Sequence, residues 1–266
     1  MADRQPATPV PAATILMLRH APEGLEVFMV VRHRQIDFAS GALVFPGGKA
    51  DPADFDPNLR EHLDGAFEGD MMRAIQVASI RESFEECGIL LARAGSASGL
   101  LDGNRLAELE PYRQRLNDGE LTMLEFVTRE NLRLACDRLT HFAHWITPPM
   151  VPKRFDTHFF LALAPDDHVA MHDGHESVDS VWIRPADVLA DAENGERTVI
   201  FPTLRNIEKL GRHVTPEAAI AAAREASPPV TVLPWTERRD DGTYLCIPPE
   251  AGYESSEWKM PDPEPG

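Results

Sequence analysis

The stretch Arg81-Glu82-Ser83-Phe84-Glu85-Glu86-Cys87-Gly88 decides how the rest of this chain is read. On a helix of 3.6 residues per turn, Glu82 and Glu86 stand one turn apart and Glu85 lies beside them. Val77, Ile80, Phe84 and Cys87 recur at i, i+3, i+7 and i+10, an apolar stripe on the other side. The spacing predicts a helix over 71–86, ended by Gly88 where a left-handed residue is favoured. One face, Cys87 included, is expected in the core, and the opposite face presents three carboxylates. Like charges one turn apart cost an isolated helix about 0.2–0.5 kcal/mol per pair. A solvated face tolerates that cost, and hard cations bound against it reverse the sign. These eight residues fit both a plain acidic surface helix and a metal-holding one, so the context decides.

Working outward, the runs 12–19 and 25–32 are apolar and β-branched, separated by APEG, and predict a strand pair. Residues 41–45 predict a third strand, stopped by a tight turn at Pro46-Gly47-Gly48. Residues 49–70 read as a polar loop. Beyond the helix, 105–136 predict two helices broken near 117–119, an inserted helical lobe at about 100–138. Strands are expected at 141–147, 157–164 and 177–184. Helices are expected from Pro185 to Gly195, over 203–211, and from the capping pair Thr215-Pro216. The order predicts an α/β fold: one domain over 12–235 with an insertion, then a C-terminal extension, 236–266, whose acidic, proline-rich end is expected to fray.

Composition narrows the function. Of 266 residues, 43% are hydrophobic and 26% charged, which excludes disorder, collagen and coiled coil as whole-chain readings. Twenty-six basic against 43 acidic residues give a net charge of −17, which argues against nonspecific duplex binding. An anionic substrate would need a local attractor, and a divalent cation is the usual one. Cys87, Cys136 and Cys246 are far apart and form no CxxC, so neither a disulfide framework nor a zinc site is implied. His172 and His175 lack a third nitrogen or sulfur ligand at a typical spacing, and zinc is not expected there. With no leader-like or membrane-length apolar run, the protein is expected to be cytoplasmic, with no membrane and no nucleic-acid partner.

In that context the sequence resembles the Nudix hydrolases, whose box reads G-x5-E-x7-R-E-U-x-E-E-x-G-U. Arg81, Glu82, Glu85, Glu86, Gly88 and Ile89 match its second half, and Ser83 occupies an aliphatic position. Counted back from Arg81, the box glycine falls on Phe67 and its first glutamate on Arg73. Gly48 lies 33 residues before Arg81, so the box resembles one carrying an insertion of about nineteen residues. The upstream spacing of Arg32, Gly41 and Phe45-Pro46-Gly47-Gly48 is similar to that of the coenzyme A diphosphatase branch, with Asp37 where that branch has a second arginine. The segments WITPPMVPKRFDTHFF and IFPTLRNIEKL are similar to the same branch.

The resemblance implies a Nudix-type αβα sandwich with a mixed sheet. It implies hydrolysis of a phosphoanhydride, with Mg²⁺ or Mn²⁺ held by Glu82, Glu85 and Glu86, and Arg81 orienting the catalytic Glu85. Glu176, six residues before Trp182, fits a further base or ligand from a late loop, or simply a polar loop residue. Gly47 and Gly48 let the backbone approach the helix and the substrate. Arg32 and Arg34, ending a strand, are read as a phosphate clamp or as solvent-facing charges, and Lys153 and Arg154 share that ambiguity. The expected substrate is coenzyme A or an acyl derivative, giving 3′,5′-ADP and 4′-phosphopantetheine. ADP-ribose, NADH or another dinucleotide is the alternative, and a non-catalytic binding module the third reading. The partner is thus a small nucleotide, and the oligomeric state stays open between monomer and homodimer.

Overall fold

A computed structural model describes residues 6–32, 41–168, 170 and 177–260. The strand pair is β1 (Val10–Ala21) and β2 (Gly24–Arg32), antiparallel across a two-residue connection. β3 (Leu43–Val44) follows, and then β4 (Gly47–Lys49), which pairs antiparallel with β1 so that Thr14 faces Gly47 and Ala13 faces Gly48. The expected turn at Gly47-Gly48 is thus a strand. Two residues without side chains let the backbone lie flat against β1, and a Cβ on Gly47, at φ +152°, would run into the Ala13 carbonyl.

The loop 49–70 also differs from expectation, because it holds two 3₁₀ turns, Pro52–Phe55 and Pro57–His62. Asp51 and Asp56 cap them, each followed by the proline that suits a first helical position. The long helix α1 (Gly69–Cys87) closes on Gly88 at φ 71°, whose N–H donates to the Phe84 carbonyl at 3.0 Å.

The inserted lobe contains three helices, not two, between β5 (Ala92–Ala94) and β6 (Leu132–Leu134): α2 (Gly103–Leu109), α3 (Pro111–Asn117) and α4 (Met123–Glu130). Pro111 cannot continue α2 because it lacks an N–H, and it opens α3 instead. Then come β7 (Thr140–Ile146), β8 (Phe155–Leu163), β9 (Ser177–Ile183), α5 (Pro185–Glu193), α6 (Phe201–Leu210), α7 (Pro216–Glu225) and β10 (Thr231–Val232). From Trp235 the chain forms an antiparallel sheet of β11 (Trp235–Arg239), β12 (Gly242–Cys246) and β13 (Glu257–Lys259), ahead of the acidic, proline-rich end that is expected to fray. Residues 261–266 lie outside the described residues.

Among the described residues the main sheet has eight strands in the order β10-β7-β8-β1-β2-β3, with β4 on β1 and β9 on β2. β1 runs parallel to β8 and β10 to β7; the other pairings are antiparallel, so the sheet is mixed. Alternate residues of β1 feed two cores. Ile15 and Met17 pack with α1 and the lobe, while Leu16 and Leu18 pack with α5, α6, α7 and the segment around Ile247 and Ala251. This is the expected αβα sandwich. Val77, Ile80 and Phe84 are fully buried, each contributing roughly 1.5–3 kcal/mol. No helix among the described residues is long and apolar enough to cross a membrane.

Candidate active site

The acidic side of α1 does not face open solvent. Glu82, Glu85 and Glu86 retain 9%, 7% and 7% of their surface, because β4 and the Pro52–Phe55 turn lie over that side of the helix while the lobe packs against its end. Phe84 stacks on Phe126 of α4 at 5.6 Å. Arg113 of α3 donates to the Glu85 carbonyl at 3.1 Å. Asn117, from the same lobe, lines the cleft that opens at the carboxylates.

The centre of the cluster is Arg81. Its Nη1 lies 2.8 Å from Glu85 Oε2 and 2.9 Å from Glu82 Oε1. Its Nε and Nη2 reach the Asp54 carboxylate at 3.1 Å each, and Nη2 also donates to the Lys49 carbonyl at 2.9 Å. Asp54 is a residue that counting back from Arg81 misses. It is fully buried, on the 3₁₀ turn that Arg73 holds by donating to the carbonyls of Phe55 and Asp56. A legible signal was present: Gly48-x5-Asp54 reproduces the first half of the box with aspartate for glutamate. The nineteen extra residues therefore fall between Asp54 and Arg81, and Arg73, eight residues before Arg81, supports the turn that carries the acid.

The glycines work by absence of bulk. Gly47 N–H donates to Glu86 Oε2 at 3.0 Å, and a Cβ on Gly48 would lie 2.6 Å from Glu82 Oε1. Ser83, in an aliphatic position, is explained by its hydroxyl donating to the Ile89 carbonyl at 2.9 Å just past the helix end. Cys87 is buried with its thiol pushed up to about 12 by desolvation, a core residue as expected.

At Glu85, burial raises the carboxyl more than the Arg81 guanidinium lowers it, and Glu82 adds repulsion, so it titrates at about 8 instead of 4.5. Burial raises Asp54 too, against the pull of Arg81. A carboxyl raised in the folded state stabilises the fold only while protonated. Its contribution is whole below about 4.5 and is lost as pH climbs through about 8. In EDTA, the melting temperature is expected to fall between about pH 5 and about pH 8, with a flatter dependence in Glu85→Gln. An equal slope in the two proteins would remove Glu85 as the cause.

The donor set suits a hard cation. Glu85 Oε1 is buried and accepts no hydrogen bond, and the ligand atoms that Glu82, Glu85 and Glu86 offer are all carboxylate oxygens, the donors a hard cation takes. The adjoining cleft measures about 940 Å³. Trp145, Phe155, Phe159 and Phe201 form an apolar wall and Lys153 joins the lining. Arg154 does not, being spent on the carbonyls of Thr147 and Ala7. Arg34, Asp37, His172, His175 and Glu176 lie outside the described residues, as does the side chain of Arg32.

A family model described as the NUDT19 Nudix domain matches residues 58–210, more than half of the chain. The chain belongs to the Nudix family. A crystal structure of a NUDIX hydrolase from Alicyclobacillus acidocaldarius is 27% identical with a TM-score of 0.66, covering 81% of this chain and 96% of its own. A putative nudix hydrolase 7 of Caenorhabditis elegans is 25% identical over 70% of this chain. An acyl-coenzyme A diphosphatase NUDT19 of Xenopus laevis is 24% identical over the same share. These matches span 56% and 59% of the two curated relatives. For a Nudix chain, the Arg81-centred carboxylates sit on the helix where the family's box is read.

Proposed function

We propose that this Nudix chain hydrolyses the diphosphate of coenzyme A or an acyl-coenzyme A, releasing 3′,5′-ADP and (acyl-)4′-phosphopantetheine. The observation that carries the reading is the Arg81-centred group of buried carboxylates at one end of a cleft of about 940 Å³ with an aromatic wall. The name of the Xenopus relative supports the acyl-coenzyme A choice. Glu82, Glu85 and Glu86 would hold Mg²⁺ or Mn²⁺. When bound, such an ion neutralises phosphate charge and acidifies water.

The rest is done by the chain. Arg81 holds Glu82 and Glu85 in one orientation, Asp54 holds Arg81, and the Gly47 N–H aims Glu86. Glu85, which Arg81 Nη1 holds at 2.8 Å, is assigned as the base, and Glu176 as a further base or metal ligand. Arg32 and Arg34 are assigned to phosphate. We assign the catalytic unit to one domain over 12–235, the insertion adding Asn117 to the cleft and residues 236–266 following as an extension.

Purified protein incubated with acetyl-coenzyme A and Mn²⁺ is expected to yield 3′,5′-ADP by mass spectrometry. Turnover of ADP-ribose or NADH with no 3′,5′-ADP would reject the coenzyme A reading and keep the chemistry.

A further inference from the structure

On β7 and β8, a second group of polar side chains lies apart from the carboxylate helix. Thr157 and Phe159 line the cleft, whereas Asp156 and His158 alternate with them and point to the other face of the sheet. His144 on β7 is the registered cross-strand partner of His158, and their rings stack at 4.0 Å. His144 Nε2 lies 2.5 Å from Asp156 Oδ1, and His158 Nε2 lies 3.9 Å from the same oxygen. One ligand atom from each of the three residues falls within 4.8 Å of the others.

Each histidine has its second nitrogen engaged. His144 Nδ1 meets Thr231 Oγ1 at 2.8 Å, and His158 Nδ1 meets His141 Nε2 at 3.1 Å. Metal-binding imidazoles are held this way: the outer nitrogen donates to a fixed acceptor and the inner lone pair faces the ion.

We propose that His144, Asp156 and His158 form a Zn²⁺ site, positioned by Thr231 and His141 and distinct from the glutamate cluster of α1. Tetrahedral ligands at Zn–N distances of about 2.0–2.1 Å stand about 3.3 Å apart. The present spacings to Asp156 Oδ1 of 2.5 and 3.9 Å bracket that value, and the two imidazoles, now stacked within 13° of parallel, would turn about their side-chain torsions to bring both Nε2 lone pairs onto the ion. The proton shared by His144 Nε2 and Asp156 Oδ1 leaves as the ion enters, and the His144 and Asp156 side chains then ligate it directly. Asp156 keeps 36% of its side chain exposed, leaving a path for entry and a fourth position for water. Two nitrogens and one oxygen select Zn²⁺ over Mg²⁺. The ion would fix the two strands whose other face forms the cleft wall.

Co²⁺ is the probe, used on the full chain with excess Mg²⁺ to saturate the glutamates. One equivalent of Co²⁺ is expected to give the intense visible bands of a four-coordinate, nitrogen-ligated ion, bleached by Zn²⁺. The bands should persist in Glu86→Gln and vanish in His144→Ala and His158→Ala. Should those two fail to fold, Asp156→Asn and Thr231→Val are expected to weaken Co²⁺ binding at least about tenfold. Absence of the bands in the parent protein, or unchanged affinity in Asp156→Asn and Thr231→Val, would overturn the site and leave a hydrogen-bonded histidine cluster.

Discussion

Replacing Glu86 by glutamine is expected to lower diphosphate hydrolysis at least about a hundredfold while leaving the protein folded. Glutamine keeps the volume and an oxygen that can still accept from the Gly47 N–H at 3.0 Å, so β4 stays seated on α1. What goes is a negative charge beside Glu82 and Glu85, where an ion worth several kcal/mol to the transition state would sit. Each 1.36 kcal/mol is a factor of ten in rate, so losing even part of that stabilisation reaches two orders of magnitude. The measurement is kcat and kcat/KM with Mn²⁺ varied, alongside the melting temperature. Turnover within a few-fold of the parent, at saturating Mn²⁺, would move the ion and the chemistry away from this helix.

The local half of this architecture is written in short spacings. The α1 periodicity, its Gly88 stop and the Glu82, Glu85, Glu86 grouping depend on residues within two turns of one another, which helix geometry relates directly. The burial of those acids is another matter. It depends on β4, on the Pro52–Phe55 turn and on Arg113 of the lobe, none within a helix length of Glu85 in sequence. Hence a face expected to present its carboxylates outward holds them at 7–9% exposure. The same reasoning explains the histidines of β7 and β8. His144 and His158 meet through strand register, and an irregularity between His141 and Ala143 sets where β7 changes face. Nothing in a local pattern announces such a meeting. The 3₁₀ turns in 49–70 were hidden by composition, since Asp and Pro suit loops and short capped turns equally.

Asp54→Ala is expected to destabilise the protein by about 3 kcal/mol, the lower end of the cost of breaking a buried ion pair from one side. Arg81 is the reason for both the size and the bound. Its guanidinium, 12% exposed, is held well above the usual arginine range by Glu82, Asp54 and Glu85 against the cost of its own burial. Without Asp54, Nε loses the acceptor it reaches at 3.1 Å, while Glu82 and Glu85 still compensate the charge at Nη1. Loss therefore stops short of the full penalty for an orphaned buried cation. Release of the guanidinium on that side also frees Glu85 to turn, so kcat should fall with KM little changed. Asp54→Glu, which restores the acid usual in the box, should recover stability better than Asp54→Asn, whose amide accepts from Arg81 without neutralising it. Urea unfolding with an unchanged m-value reads the first effect and steady-state kinetics the second. An Asp54→Ala protein as stable and active as the parent would mean that Arg81 needs only the glutamates of its own helix, and that Asp54 is not the split box's first acid.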